Sequence, residues 1–473
     1  MLSVQKVLLE YQAMKQNNQF IQSKLKQCIT NNPRAFALYT LNEFHLNEVF
    51  LDALLNDHFC HVKGYEQRDR ALIHSLVYGV IRWRLYLDFI IDQCASSGCS
   101  KIELPVLNVL RMGLFQLLFL DRIPDHAAVN TSVELIRLFA PNYLSRFVNG
   151  VLRGCIRSKG KIKWPDETTH PIDTLSVKYA YPKWLVKRWI EYKGIADTKA
   201  LCRYGNEVPP IILRTNTLKT SRSHLLELLS SDFTHISKTF HSPDGICLSS
   251  IKLAVGQLDS FKKGLYQVQD EAAQLISFIV SPRPGETILD ACAGRGGKTG
   301  HLAQFMNNKG TIFAVDHSSE KRHILSHEMQ RLGVSIVKIR QHRWEKVLNN
   351  LLFDRVLVDA PCSGLGVIRR HPDMKWKKTQ RHIFQNAIQQ KKILKYASLH
   401  VKAGGTLIYA VCSLEPEETF QVIADFLSQN KTFQVDRQCQ LCLKPFMDKN
   451  GYYIFRPNIH EMDGFFAVCL KKL

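Results

Sequence analysis

From about residue 265 onward, short apolar runs alternate with longer stretches of helical periodicity. Thr287–Ala291, Thr311–Asp316, Ser335–Ile339, Asp354–Asp359 and Gly405–Val411 read as buried strands. Ser318–Leu332, Thr379–Val401 and Pro416–Asn430 read as the helices between them. This alternation constrains the chain more than any other feature. Parallel neighbours cannot be joined by a tight turn, so each pair needs a crossover, normally a helix. The expected fold class is therefore α/β, a Rossmann-like, mostly parallel, doubly wound sheet. Ligands on such sheets bind beyond the carboxyl ends of the strands. Polar residues where these strands stop become the candidates for function.

Upstream the pattern is different. Leu72, Ile73, Leu76, Val77, Val80 and Tyr86 recur at helical spacing, and Val106–Leu120 is apolar nearly all round, as in a central buried helix. "RIPDHAAVNTSVELI" reads as a turn and then an amphipathic helix capped by Asp125. The basic, apolar-poor stretch Lys159–Trp164, ending at Pro165, reads as a linker. Beyond it, "YPKWLVKRWIEYKG" is an aromatic, basic helix and "PPIILRTNTLK" a short strand entering a loop. Three domains are expected in 473 residues: an all-α domain at 1–160, a small connecting α+β domain at 166–262 and the α/β domain at 263–473.

Charge narrows the class of partner. Lys and Arg number 63 against 42 Asp and Glu, a net +21. That excess, most of it beyond residue 160, points to a polyanion, nucleic acid before membrane. Val106–Leu120 is too short to span a bilayer and Arg111 interrupts it. The opening residues do not read as a secretory signal, and 13 cysteines is an odd count at low density. The expected setting is cytoplasmic, with reduced thiols.

"ILDACAGRGGKTGHLA" runs strand, glycine-rich turn, helix. A P-loop ending at Lys298-Thr299 needs Gly at 292, which is Cys. A dinucleotide fingerprint beginning at Gly294 needs Gly at 299, which is Thr. Both phosphate readings fail on spacing. What remains is Asp290 at a strand end, a loop with Gly294, Gly296 and Gly297, and Asp316 ending the next strand, where an acid can hold two ribose hydroxyls. A nucleoside ligand without a diphosphate fits, and S-adenosylmethionine is the candidate.

Two more strands end on cysteine. "FDRVLVDAPCSGLG" delivers Asp359 and Cys362, and "GGTLIYAVCSLEPEE" delivers Cys412. Both thiols are expected at one crevice. Carbon 5 of cytosine is a poor nucleophile. A thiolate adding at carbon 6 makes it enamine-like, and an acid at N3 assists that addition. Glu415, Glu417 and Glu418 sit in the first turn of the expected helix and oppose any lowering of the Cys412 pKa by its dipole.

At "DACAGRGGKT", "DAPCSGLGVIRRHPDMKW" and "YAVCSLEPEE" the chain resembles the RNA cytosine-5 methyltransferase family, in particular its bacterial 16S rRNA group. "RDRALIHSLVYGVIRW", "LRMGLFQLLFLDRIPDHAAVNTSVEL" and "FVNGVLR" are similar to that group's NusB-like RNA-binding domain. "YPKWLVKRW", "LRTNTLK" and "VQDEAAQL" resemble its connecting region, and "MDGFFAVCLKK" its closing strand. Only about the first 35 residues look like an extension. The resemblance implies a class I methyltransferase fold and S-adenosylmethionine wrapped by Cys292, Ala293, Gly294, Arg295, Gly296, Gly297 and Lys298. It also implies that Asp316 holds the ribose and that Asp359 stands between cofactor and base. Cys412 would be the nucleophile and Cys362 would help release product. DNA cytosine methyltransferases use the Pro-Cys cysteine as nucleophile, so the reverse assignment stays open. Two residues depart from the family's pattern. Arg295 replaces a proline, and His342 falls where an acid usually meets the adenine amino group, which predicts weaker or pH-sensitive cofactor affinity.

Between Arg369 and Arg381 lie six basic residues, one Asp and Trp376. Arg369, Arg370, Lys375, Trp376, Lys377 and Lys378 are expected to form a phosphate track with a stacking ring. Cys439-x-x-Cys442 has no second pair nearby and is read as packing, with no metal expected. The expected partner is RNA, 16S rRNA first. The rivals are a tRNA or 23S rRNA cytosine-5 methyltransferase and a non-catalytic RNA-binding or assembly factor.

Overall fold

The computed structural model describes residues 20–47, 49–62, 64–96, 98–249, 255–341, 351–438 and 440–473. The chain divides into two compact units. One holds residues up to Asn206 together with His371–Lys377; the other holds Glu207–Arg370 and Lys378–Leu473.

The first unit is helical. Its long helices are Pro33–Leu46, Gln67–Cys94, Leu104–Phe119, Asp125–Arg137 and Asn142–Arg157. Leu104–Phe119 is the central one, buried continuously from Pro105 to Gln116 because it is apolar all round. Arg111 is tolerated there because Asp88 receives its guanidinium at 2.6 and 2.8 Å. Asp125 is not the cap of its helix. Pro124 holds that position, with Asp125 in the first turn, where its charge still favours the helix N-terminus. Helices Pro171–Tyr179 and Lys183–Tyr204 belong to this unit and not with the small sheet that follows. The division between the two units falls at Asn206, inside the expected segment 166–262.

The second unit carries two sheets. The smaller is antiparallel, of order β2-β3-β1-β4, from β1 (Ile211–Thr215), β2 (His235–Lys238), β3 (Gly245–Ser249) and β4 (Tyr266–Val268). Helix Glu271–Val280 then leads into the larger sheet. Its strands are β5 (Thr287–Asp290), β6 (Thr311–Asp316), β7 (Val337–Gln341), β8 (Phe353–Asp359), β9 (Val401–Val411), β10 (Phe433–Val435), β11 (Tyr452–Phe455) and β12 (Phe465–Lys472). The order is β10-β12-β9-β8-β5-β6-β7, with β11 also on β12. Strands β5 to β9 pair in parallel; β12 runs antiparallel to β9, β10 and β11. Chain order reverses beside β5, whose neighbours are β6 and β8. That is the switch point where a crevice opens.

The two sheets share a polar bolt. Arg214 of β1 is fully buried; it donates to Gln267 Oε1 at 2.8 Å and to the carbonyl of Gly297 in the glycine loop. Burial pushes its pKa down to about 9. Among the described residues no helix is long and apolar enough to cross a membrane.

Candidate active site

Three acids end three neighbouring strands: Asp290 on β5, Asp316 on β6 and Asp359 on β8. The segment Gly294–Thr299 that follows β5 donates to all three. Thr299 Oγ1 donates to Asp290 Oδ2 at 2.7 Å. The Gly294 amide donates to Asp316 Oδ2 at 3.0 Å, and the Ser318 amide to Asp316 Oδ1 at 2.8 Å. Gly296 has φ +86, and a Cβ there would lie 3.0 Å from Leu325 and Met329, so this turn requires glycine. Arg295, beside it, is exposed.

Lys298 closes the group. Its Nζ lies 2.6 Å from Asp359 Oδ2 and 5.1 Å above the Phe465 ring. Burial opposes its charge, but the carboxylate of Asp359 and the nearby Cys412 outweigh this and hold its pKa above the usual lysine value. Asp290 is 1% exposed, and its Oδ1 finds no hydrogen-bond partner among the described residues. Burial, with Asp359 adding, raises its pKa to about 7. Three acids against one lysine leave the loop short of positive charge. S-adenosylmethionine, with its ammonium and sulfonium, complements that deficit. The Cys292 thiol is pushed well up by burial and the surrounding acids, so it stays protonated and inert.

The two cysteine loops converge. Cys362 Sγ and Cys412 Sγ are 3.0 Å apart, beyond the ends of the adjacent parallel strands β8 and β9. Glu418, which is fully buried, fixes both loops. Its carboxylate accepts from the Ser363 amide at 2.7 Å, from Ser363 Oγ at 2.5 Å and from Ser413 Oγ at 2.6 Å. Its own carbonyl takes the Tyr409 hydroxyl at 2.6 Å. Sequence reasoning cast Glu418 as an opposing charge on a helix. The helix starts only at Phe420, after a single tight turn at Pro416–Glu418, and the carboxylate points back at the serines. The signal was present: Cys-Ser follows two strands of the sheet, with an acid shortly after the second.

Gly366 completes the packing. Its amide donates to the Cys412 carbonyl at 3.0 Å, and its carbonyl accepts from the Gly464 amide at 2.8 Å. A Cβ at 366 would meet the Gly464 oxygen at 2.0 Å, so backbone approaches backbone here and only glycine fits.

The pair is electrostatically uneven. Contact with Cys412, then burial and the Glu418 charge, push the Cys362 thiol well above its ordinary value. Cys362 therefore keeps its proton and can donate it towards Cys412. Cys412 in turn is the partner that interacts with the Lys298 ammonium.

The expected phosphate track is a correction. Lys375 is fully buried in the helical unit, where its Nζ donates to Asn206 Oδ1 at 2.6 Å and to the carbonyls of Arg82 and Ala180 at 3.2 and 3.3 Å. It lies 3.7 Å above the Tyr181 ring, and burial pushes its pKa well down. The Trp376 indole donates to the Ile81 carbonyl at 2.8 Å, and Lys377 donates to the Asn47 carbonyl at 2.5 Å. Arg370 pairs with Asp270 at 2.6 Å and Asp463 at 3.1 Å; Arg369 lies 3.5 Å from Glu207 Oε2. Lys378 also has a partner. Lys375 is spent inside the protein, because a desolvated cation needs fixed acceptors, and the others each hold a protein partner. His342 and Cys439 lie outside the described residues.

The strand order, the acid-flanked glycine loop and the polar carboxyl edge define a Rossmann-like methyltransferase whose cofactor is S-adenosylmethionine. Residues 277–471 match the family model for 16S rRNA methyltransferase RsmB/F, residues 31–157 the NusB family, and residues 181–253 the RsmF/B-like ferredoxin-like domain. A Bacillus subtilis protein named "Probable ribosomal RNA small subunit methyltransferase B" is 32% identical over 93% of this chain and 98% of its own length. Ribosomal RNA small subunit methyltransferase B of Erwinia tasmaniensis is 36% identical over 87% of this chain and 92% of its own. The crystal structure of PH0851 shares the fold: TM-score 0.74, 23% identity, 97% of this chain and 99% of that one. A methyltransferase homolog from Pyrococcus horikoshii is 26% identical with TM-score 0.56, over 64% of this chain and 99% of that one. The chain belongs to the ribosomal RNA small subunit methyltransferase B family.

Proposed function

We propose that the protein methylates carbon 5 of a cytosine in 16S ribosomal RNA through a covalent adduct on Cys412. The observation that carries this reading is the pair of thiols 3.0 Å apart, beside the Lys298–Asp359 ion pair, in a methyltransferase sheet.

Cys412 attacks carbon 6 as the thiolate, with the Lys298 ammonium offsetting its charge. Asp359 meets the base at N3, and the Asp359–Lys298 pair supplies the proton that N3 takes up as the C6–S bond forms. Carbon 5 then carries the electron pair. S-adenosylmethionine, when bound, supplies the methyl group. Asp316 would hold the ribose hydroxyls, and the loop Cys292–Lys298 would wrap the rest of the cofactor. Release requires transfer of the carbon 5 proton to water as the C5=C6 double bond re-forms, return of the C6–S electron pair to Cys412, and return of the N3 proton to the Asp359–Lys298 pair. Cys362, which keeps its proton, donates a hydrogen bond to the departing thiolate. The target base must leave its stack at a cost of about a few kcal/mol, which favours an unpaired cytosine. The helical unit and the small sheet supply RNA contacts in this reading.

The test is transfer of labelled methyl to protein-free 16S rRNA, with the modified base identified by mass spectrometry. Label in 5-methylcytosine is the expected result. Label in another base, or in no RNA, overturns the reading.

A further inference from the structure

The tip of the hairpin between β2 and β3 presents a ring to solvent. Phe240 is 93% exposed. The backbone beneath it is firmly held. The buried carboxylate of Glu271 accepts from the amides of His241 and Ser242, both at 2.6 Å. Ser242 Oγ donates to Gln274 at 2.7 Å. Asp244 Oδ2 lies 3.0 Å from Nε2 of His301, which is fully buried. Burial pushes the His301 pKa down to about 4, so the ring is neutral and its Nε2–H is the donor to Asp244.

Burying a phenylalanine ring removes apolar surface from water and is favourable. A slack loop would collect that by folding the ring onto its own surface. Here four hydrogen bonds pin the tip while the ring stays in water. Such presentation suits a partner that supplies the missing apolar face.

The surroundings say which partner. The His241 ring packs edge-on against Phe240 at 4.7 Å and against Phe446 at 4.8 Å, and lies 6.4 Å from the His460 ring. His460 precedes β12, whose first residues pair with the end of β9. The same loop runs through Asp463, whose amide donates to Asp270 Oδ1, to Gly464, which is bonded through Gly366 to the Cys412 carbonyl. A relay of contacts thus runs from Phe240 to the loop beside Cys412, in a chain of net charge +21.

We propose that Phe240 is a stacking platform for an unpaired base of the RNA strand that carries the target nucleotide, presented by the Glu271-pinned hairpin. Only the identity of the strand rests on the function proposed above. A ring offers its face to any base, so the contact is tolerant of sequence and blind to duplex.

The experiment measures binding of a fluorescein-labelled single-stranded oligocytidine, with an RNA duplex as control, to wild type, Phe240→Ala and Phe240→Trp. Stacking predicts that Phe240→Ala weakens single-strand binding about 5- to 150-fold, while Phe240→Trp retains it. Duplex binding stays unchanged and the thermal midpoint moves little, since the exposed ring touches the protein through the edge of His241. In turnover KM for RNA rises and kcat holds. Single-strand binding by Phe240→Ala equal to wild type overturns the proposal, as does an equal loss on duplex, or a wild type that does not bind the oligomer. Wild type that binds the oligomer in a Phe240-dependent way yet transfers no methyl to rRNA sinks the proposed function and leaves this inference standing.

Discussion

The loops after β8 and β9 are near copies: each ends a buried parallel strand, turns, and sets down Cys-Ser, and both serines bond to one carboxylate, Glu418. Their thiols nonetheless face different charges. Cys412 interacts with the Lys298 ammonium, while Cys362 stands nearer the negative field of Glu418 and of Cys412 itself. Two equivalent cysteines would be interchangeable as nucleophile. The uneven surroundings keep the proton on Cys362 and set Cys412 beside the Lys298 ammonium. The roles proposed for the two rest on their neighbours rather than on their motifs.

Several changes should break or sharpen that contrast. Replacing Cys412 by Ala removes the proposed nucleophile, and methyl transfer should fall by about 10⁴-fold or more. Lys298→Met removes the cation facing only one thiol. kcat/KM should drop by about 10²–10³, a loss like that of a preorganised electrostatic donor. Alkylation of Cys412 by iodoacetamide should slow in parallel, while that of Cys362 should not. Glu418→Gln loosens both loops together. Loss of hydrogen bonds to a buried charge costs about 1.5–3 kcal/mol, so the thermal midpoint should fall and kcat drop about tenfold.

A smaller effect concerns Asp290. Its folded pKa, about 7, lies above the unfolded 3.8. The unliganded protein therefore loses stability as pH rises from about 4 to 7 and levels off above that. A cationic cofactor prefers the ionised acid, so its affinity should rise about tenfold from pH 6 to 8. Calorimetry with S-adenosylmethionine would show proton release at pH 6, and Asp290→Asn should flatten the profile. Least affected should be RNA binding in Lys375→Gln. Its salt dependence should match wild type while the thermal midpoint falls, because Lys375 contacts carbonyls and not phosphate.

The sheet was legible because strand ends coincide with chemistry. Thr311–Asp316 is read to the residue, and Asp354–Asp359 misses only Phe353. The acids, the glycine loop and both cysteines stand out for the same reason: a crevice at strand ends shows in sequence as apolar runs stopping on polar residues. Two kinds of residue escaped. Glu418 acts backwards along the chain, on loops 5 and 55 residues away, and no local pattern announces that. Lys375 and Trp376 carry the composition of a surface track, but their burial comes from segments some 170 to 295 residues distant. Charge in a sequence says what a side chain can pair with, not whether the partner is solvent, phosphate or a buried carbonyl.

The most direct test of the split between the cysteines is a covalent trap. Cys362→Ala, incubated with 16S rRNA and S-adenosylmethionine, should accumulate a denaturation-resistant protein–RNA complex whose cross-linked peptide contains Cys412. Cys412→Ala and the double variant should form none. A complex that forms in Cys412→Ala and maps to Cys362 would reverse the assignment and contradict the account.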